Sequence, residues 1–486
     1  MIDRRQFLSQ ALGGFGGLAL GSLALTDLLS AQPSGHRLLN GDLQDPQNAA
    51  SGLTGLPHFA PKAKRVIYLH MAGSPSQLDL FDPKPKLTEY DGKDIPESFI
   101  AKERFAFIKG TPKVLASPYE FKQHGESGQW ISELLPHTAA IADKLTVVRS
   151  MTTTQFNHAP AQLFLNTGHH LAGRPSLGSW LSYGLGNENR NLPAFAVMLS
   201  GKFGPSAGAT AWSNGFLPSQ YQGVRLHDGA DPVLFLSNPE GVSTEQRRRE
   251  LDALGKLNRE SANRNNDAET LARIEQYELA FRMQREVPKI ADLNTESKET
   301  LEMYGVEPGK PSFASNCLFA RRLAESGVRF IQLYDWGWDS HGTNPSDDII
   351  TSLPEQCRRT DQATAALVKD LEQRGLLDDT LVVWGGEFGR TPMNEERNGS
   401  KFLGRDHHPH AFTMWFAGGG MKPGVSYGST DEFGYFIDEN KMDVHDLHAT
   451  MLHLLGVDHE RLTYTSQGRP FRLTDVAGNV IHDLLA

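Results

Sequence analysis

Four short segments of this chain are apolar almost without interruption, and this limits how it can fold more than any other feature. AKRVIYLHMAG (63–73) starts basic and then runs apolar to Gly73. DKLTVVRSM (143–151), Val328–Tyr334 and the run Leu381–Trp384 within DDTLVVWGGEFG follow the same plan. A strand with one wet face alternates apolar and polar residues; these do not, so they are expected to be buried on both faces. Helical patterns stand between them. Ile131–Ala142 reads as a helix, and the stretch from 313 as a helix ending near Gly327. In TDQATAALVKDLEQRG (360–375), Ala363, Ala366, Leu367 and Leu371 share one helical face and Gly375 fits the C-cap. Helices alternating with doubly buried strands predict an α/β fold: a mostly parallel central sheet flanked by helices on both faces. The long polar stretch 244–288 predicts a helical insertion at about 240–310.

The charge balance narrows the function. The chain has 486 residues and a net charge of −10, which excludes the basic field of a general nucleic-acid binder. Its one dense basic run, Arg247–Arg249, is flanked by Glu245 and Glu250 and reads as a solvated helical face. Two cysteines, Cys317 and Cys357, are too few for a disulfide framework or a Cys-rich zinc site, though one bridge is open by count.

The N-terminus reads as an address. Arg4-Arg5 precede Phe7-Leu8 and a weakly apolar, glycine-rich run over Ala11–Leu25, which resembles a twin-arginine export signal. At about 15 residues the run is short for a membrane span. A dinucleotide-binding glycine loop is excluded because no strand precedes it. The expected organisation is a signal segment at 1–31, a Pro/Gly/Asn/Asp-rich linker at 32–60, and an α/β domain at 61–486 carrying the insertion. Export by the twin-arginine machinery to the periplasm or cell envelope follows, with no stable membrane span after processing.

Ligands of open α/β sheets sit outside the carboxyl ends of the strands. Asp79 follows the first strand and Asn157 and His158 follow the second. Asp335, Asp339 and His341 follow the third, and Glu387 and Arg390 the fourth. GRDHHPHAF then supplies Arg405, Asp406, His407, His408 and His410. Several carboxylates share a small site only when cations neutralise them. Mixed His and Asp/Glu ligands suit zinc, manganese or iron, and oxygen-only sets suit calcium or magnesium. Asp339 and His341, two apart, lie on one side of an extended segment. Two ions about 4 Å apart would clamp both oxygens of a displacement, and Arg390 and Arg405 offer forks for phosphate or sulfate. The structural alternatives are a Glu387–Arg390 salt bridge, His158 as a helix cap, RDHHPH as a solvated loop, Asp82 and Asp335 as turn residues, and His453 and His459 in packing or solvent.

These motifs resemble a known superfamily. ALVKDLEQRGLLDDTLVVWGGEFG is similar to the sulfatase and alkaline-phosphatase segment leading to SDNG or TADHG, with Glu387 where a metal-binding Asp stands. DLHATMLHLLGVD (446–458) resembles the sulfatase DLxPTLLxLAG helix, and HAPAQLFLNTG (158–168) resembles CxPSRxxLLTG, which carries the nucleophile. The twin-arginine start, GSPSQLDLFDPKP, GWDSHG, GGEFGRTP, GRDHHPHAFTMWFAGGG and HDLHATMLHLLG together resemble an exported bacterial sulfatase-like domain family of unknown function. The resemblance implies an alkaline-phosphatase-like fold and a metal-dependent hydrolase of sulfate or phosphate esters, acting on a small-molecule or polysaccharide substrate. It implies one or two divalent metal ions, zinc favoured and manganese, calcium or magnesium open, held by Asp79, Asp339, His341, Glu387, Asp406 and His407. His158 would be nucleophile, base or extra ligand, and Arg390 would bind the anion.

The departures are as informative. His158 occupies the nucleophile position where the superfamily has Cys, Ser or Thr, with Thr152, Thr153 and Thr154 just upstream. Phe388 replaces the His of the DHG motif, and His407 is the residue expected to compensate. The alternative function is a non-catalytic, metal-containing envelope binding or assembly protein on the same fold.

Overall fold

The apolar runs become the middle of a nine-stranded sheet. The computed structural model describes residues 52–100, 105–201, 203–227, 232–233, 238, 241–265 and 268–486. The expected signal segment, and the expected linker as far as residue 51, lie outside the described residues. The strands used below are β1 (Arg65–Ala72), β2 (Leu145–Thr152), β3 (Phe195–Gly201), β4 (Val224–Arg225), β5 (Phe330–Trp336) and β6 (Thr380–Gly385). After them come β7 (Gly389–Asn394), β8 (Arg405–His408), β9 (Phe412–Ala417), β10 (Val425–Tyr427) and β11 (Met442–Asp443). The sheet order is β10-β2-β9-β6-β1-β5-β3-β4, with β11 added beside β2; β7 and β8 form a separate antiparallel ribbon.

β1 lies parallel to both its neighbours, with Leu69 opposite Leu333 of β5 and Trp384 of β6. Only β9 runs against the rest, antiparallel to β2 and β6. The ends of β1, β2, β3, β5 and β6 therefore emerge along one edge. The principal helices are α1 (His158–Thr167), α2 (Leu177–Leu185), α3 (Thr244–Asn265), α4 (Ala268–Ala291), α5 (Phe313–Glu325), α6 (Ser352–Gln373) and α7 (Val444–Leu454). Both sheet faces are covered, as the lack of alternation demanded. Ile67, Leu69 and Met71 pack in one core with Leu318 of α5 and Leu367 of α6. Val66 and Tyr68 pack in the other with Trp180 of α2 and Met451 of α7. Each such aliphatic side chain contributes about 1.5–3 kcal/mol on burial.

Local signals set the helix ends. Ser312 and Ser315 form a reciprocal capping box at the start of α5, and Asp443 caps α7 through the backbone N–H of His445 and Asp446. Gly168 ends α1 at φ 69°, and a Cβ there would stand 2.1 Å from the Leu473 carbonyl oxygen. The helix expected over Ile131–Ala142 is reduced to a single turn, Pro136–Ala139. Gln129–Ser132 pairs instead with Phe121–His124 as a hairpin, and Pro136 starts the turn.

The polar stretch is a helix pair. Arg248 of α3 reaches Asp252 at 2.7 Å and Glu278 of α4 at 2.6 Å, so one arginine of the basic run ties the two helices together. Cys317 and Cys357 are buried and unbonded. Among the described residues no helix is long and apolar enough to cross a membrane.

His448 lies fully buried in α7 with Nε2 2.8 Å from the Leu165 carbonyl oxygen, a contact in which the ring donates. Burial, and the charge of His445, push its pKa down to about 4. The unfolded chain takes up this proton near pH 6.5 and the folded chain does not, so stability falls as pH drops from 6.5 toward 4. This group alone is expected to cost roughly 2 kcal/mol between pH 8 and pH 5. Urea midpoints at the two pH values, compared with His448→Gln, check this: the variant should lose less on acidification than the wild-type chain.

Candidate metal centre

Asp339 follows β5 at the functional edge, and its Oδ1 is a point of convergence. His341 Nε2 lies 2.9 Å from it, His158 Nε2 3.2 Å and His407 Nε2 3.4 Å, and Arg390 Nη2 donates to it at 2.6 Å. His158, Asp339, His341 and His407 can each turn a ligand atom to within 4.8 Å of all the others. The four come from distant parts of the chain. His158 opens α1, Asp339 and His341 follow β5, and His407 sits in β8 opposite Arg390 of β7. Gly404 fixes part of this arrangement: a Cβ there would stand 2.0 Å from the backbone carbon of His341.

Each imidazole is held from behind. His158 Nδ1 meets Glu387 Oε1 at 2.7 Å, His341 Nδ1 meets Glu395 Oε2, and His407 Nδ1 lies 2.6 Å from the Phe156 carbonyl oxygen. A carboxylate or carbonyl on one ring nitrogen fixes the tautomer and presents the other nitrogen forward, as metal-binding histidines do. Glu387 is fully buried and also takes His70 Nε2 at 3.3 Å, Gln162 Nε2 at 2.8 Å and the Gly73 N–H at 3.1 Å.

Electrostatics follow from these contacts. Burial would raise the Asp339 carboxyl, but the Arg390 charge and the His158 and His341 imidazoles hold it well below the usual range. Glu387 is likewise held down, with the His158 and His70 hydrogen bonds outweighing burial. Burial pulls His158 down, yet its bonds to Asp339 and Glu387 carry it up to about 9. His407 moves the other way. Burial lowers it, and the Arg390 and His158 charges add to burial against the pull of the Asp339 carboxylate, so the ring is neutral near pH 7. Its Nδ1 proton is given to the Phe156 carbonyl, so its Nε2 lone pair faces the Asp339 oxygen. Two acceptors facing each other across 3.4 Å are stabilised by a cation shared between them. The donor set, three imidazoles and one carboxylate, fits a divalent transition metal.

The other expected residues fall around this group. Glu387 stands behind His158 rather than in the cluster. Asp406 can join His341 and Glu395 in a second grouping, but its Oδ2 accepts the Phe107 and Ile108 N–H groups at 2.8 and 3.0 Å, and its Oδ1 the His407 N–H. Asp79 is buried against Arg405 through two bonds of 2.8 and 3.0 Å. Arg405 also donates to the Leu115 and Thr391 carbonyls. Arg390 donates to the carbonyls of Gly73, Ser74 and Arg405 as well as to Asp339. Both forks are thus directed into the protein. Phe388 packs its ring 4.5 Å from that of His407. Thr152, Thr153 and Thr154 line a separate pocket beside His169 and His445. Glu395, His70 and Gln162 were not singled out from sequence; His70 was the one with a visible signal, a lone imidazole inside an otherwise apolar strand.

Phe107 packs edge-on against His341 and His407, and a crevice of about 930 Å³ opens onto Asp339 and His341. The candidate cluster thus stands at a walled edge that opens onto this crevice.

The family profile described as "Protein of unknown function (DUF1501)" matches residues 63–485. No curated protein matches the sequence. Solved structures that resemble the chain include the lipoteichoic acid synthase LtaP from Listeria monocytogenes, 12% identical over 88% of this chain and 80% of that one, with a TM-score of 0.33. The PsFucS1 sulfatase from Pseudoalteromonas sp. is 13% identical over 82% of this chain and 68% of that one, TM-score 0.33. The alkaline phosphatase from the Antarctic bacterium TAB5 is 10% identical over 81% of this chain and 98% of that one, TM-score 0.31. At such scores the architecture rests on the sheet order itself.

If the cluster holds a metal, Glu387→Gln and Glu395→Gln should each weaken divalent-metal affinity about 10–100-fold, because they leave His158 or His341 without its anchoring carboxylate. Competition with a chromophoric chelator measures this, and wild-type affinity in both variants would remove the anchoring role. Gly404→Ala, which drives a methyl into the His341 backbone, should cost about 3 kcal/mol or more and weaken metal binding as well. Thermal melts with and without added zinc read both effects.

Proposed function

The chain belongs to the DUF1501 family, and on that premise we propose that it is an exported, metal-dependent hydrolase of sulfate or phosphate esters with an alkaline-phosphatase-like domain. The observation that carries the reading is the convergence of three back-anchored imidazoles and Asp339 at the mouth of a crevice. The domain is residues 61–486 with the helical insertion at about 240–310, behind a twin-arginine signal at 1–31 and a linker at 32–60. The substrate class is a small-molecule or polysaccharide ester, reached in the periplasm or cell envelope.

His158, Asp339, His341 and His407 would hold a divalent ion, zinc favoured, and Asp406 with His341 and Glu395 forms the second grouping of candidate ligands. Such an ion supplies Lewis acidity to an ester oxygen. Asp339 gives the site its negative ligand and is kept ionised by Arg390. Glu387 orients His158 through Nδ1, so this imidazole serves as ligand or as a proton acceptor at Nε2 when released from Asp339. α1 begins at His158, so the positive end of its dipole faces the same edge and favours an anionic ester. Phe107 and Phe388 pack on the imidazoles and exclude water from them.

A second reading is supported by one observation. His158 Nδ1 is held by Glu387, its Nε2 lies 3.2 Å from Asp339, and the upstream threonines line another pocket, so the grouping found among the described residues consists of imidazoles and acids. A non-catalytic metal-holding envelope protein would have that arrangement.

Metal analysis of the purified chain should find at least one bound divalent ion. Aryl sulfate or aryl phosphate should be hydrolysed, with turnover lost to chelator, restored by zinc or manganese, and reduced at least a hundredfold by Asp339→Asn. Bound metal with neither ester turned over favours the second reading, and no bound metal under any loading condition removes both.

A further inference from the structure

The crevice beside Asp339 continues sideways along the sheet to β3 and β4, where Arg225 forms part of its wall. Among the described residues, five fully charged side chains line it: Arg225, Arg359, Arg397, Asp339 and Asp347. Four already have partners. Asp339 is bonded to Arg390, and Asp347 turns into its own loop to accept the Thr343 and Asn344 N–H groups at 2.8 and 2.9 Å. Arg359 donates to Asp335 at 2.7 Å, and Arg397 to Glu395. Arg225 is exposed and, among the described residues, its side chain has no hydrogen-bond or ion-pair partner. An uncompensated guanidinium here does not reflect a basic surface, since the chain carries a net charge of −10.

The position sets a distance. Arg225 lies on β4, two strands from β5, whose C-terminal loop carries Asp339. Two strand spacings are roughly 10 Å. We propose that Arg225 forms a subsite for a second anionic group of the substrate, so that the crevice takes a polyanion whose charges are at least about 10 Å apart rather than a simple monoester. The assignment rests on the hydrolase reading of the metal cluster. A fork-shaped guanidinium is suited to sulfate, phosphate or carboxylate alike.

The test uses the metal-loaded full chain and a ladder of sulfated oligosaccharides, from one sulfated sugar to four, with the unsulfated tetrasaccharide as control. Calorimetry should show the tetrasulfated probe binding at least tenfold more tightly than the monosulfated one. Arg225→Gln should remove at least fivefold of that advantage and leave the monosulfated probe and aryl-ester kcat/KM unchanged, while Arg225→Lys retains part of it. Melting curves check that the variants fold. Equal affinity of wild type and Arg225→Gln for the longest probe, or equal binding of the unsulfated control, overturns the subsite. Aryl-ester turnover without Arg225-dependent binding overturns this inference alone. Arg225-dependent binding without turnover overturns the hydrolase reading and leaves Arg225 as an anion site with no substrate role.

Discussion

One carboxylate oxygen, Oδ1 of Asp339, faces three imidazoles and a guanidinium, and the surrounding architecture can be understood as the means of holding that convergence. Cations and hydrogen-bond donors gather at an anion readily, but a neutral imidazole lone pair does not. His407 is held in that orientation by the Phe156 carbonyl, which claims its only proton. The same logic applies behind the cluster, where Glu387 and Glu395 fix the rings of His158 and His341. A buried carboxylate is tolerable there because it is itself saturated: Glu387 has four donors around it.

The parallel sheet makes this possible by delivering strand ends to a common edge. That much was legible in the sequence, because doubly buried strands lack alternation and so reveal both the sheet and the location of its polar ends. Asp339, His341 and His158 were placed at that edge for the same reason, and His407 joins them from a segment read as a loop, which forms a ribbon. Asp79, Arg390 and Arg405 carried the same outward signal, yet their charges close on partners within the protein, and Asp79 meets Arg405 across more than 300 residues of chain. Pairing of that range has no local signature. Glu395 was hidden for a related reason: whether it faces His341 depends on the path of a ribbon that the sequence does not announce. The helix expected at Ile131–Ala142 was cut to one turn by a local matter, since a proline within it blocks the hydrogen bond that continuation would need.

The arginines divide into two kinds. Arg390 and Arg405 are fully enclosed and donate to backbone carbonyls, so they act as internal braces that also neutralise Asp339 and Asp79. Arg248 and Arg359 each bind acids at partly open sites. Removing one partner from an enclosed pair leaves a charge without compensation, which costs far more than breaking an exposed one. Arg390, Arg405 and Asp79 are therefore costly to replace whether or not they touch a ligand.

The single reversed strand, β9, has a topological effect of its own. β6 ends at the functional edge and β9, running the other way, begins there. The chain between them can leave the sheet and re-enter at the same rim without a crossover, and it carries Glu387, Arg390, Glu395, Asp406 and His407 on that one excursion. Insertions or deletions near its tip, around residues 396–403, would be absorbed by the rim while every sheet strand keeps its neighbours. The excursion is thus a natural place for related chains to diverge in length while sharing one scaffold.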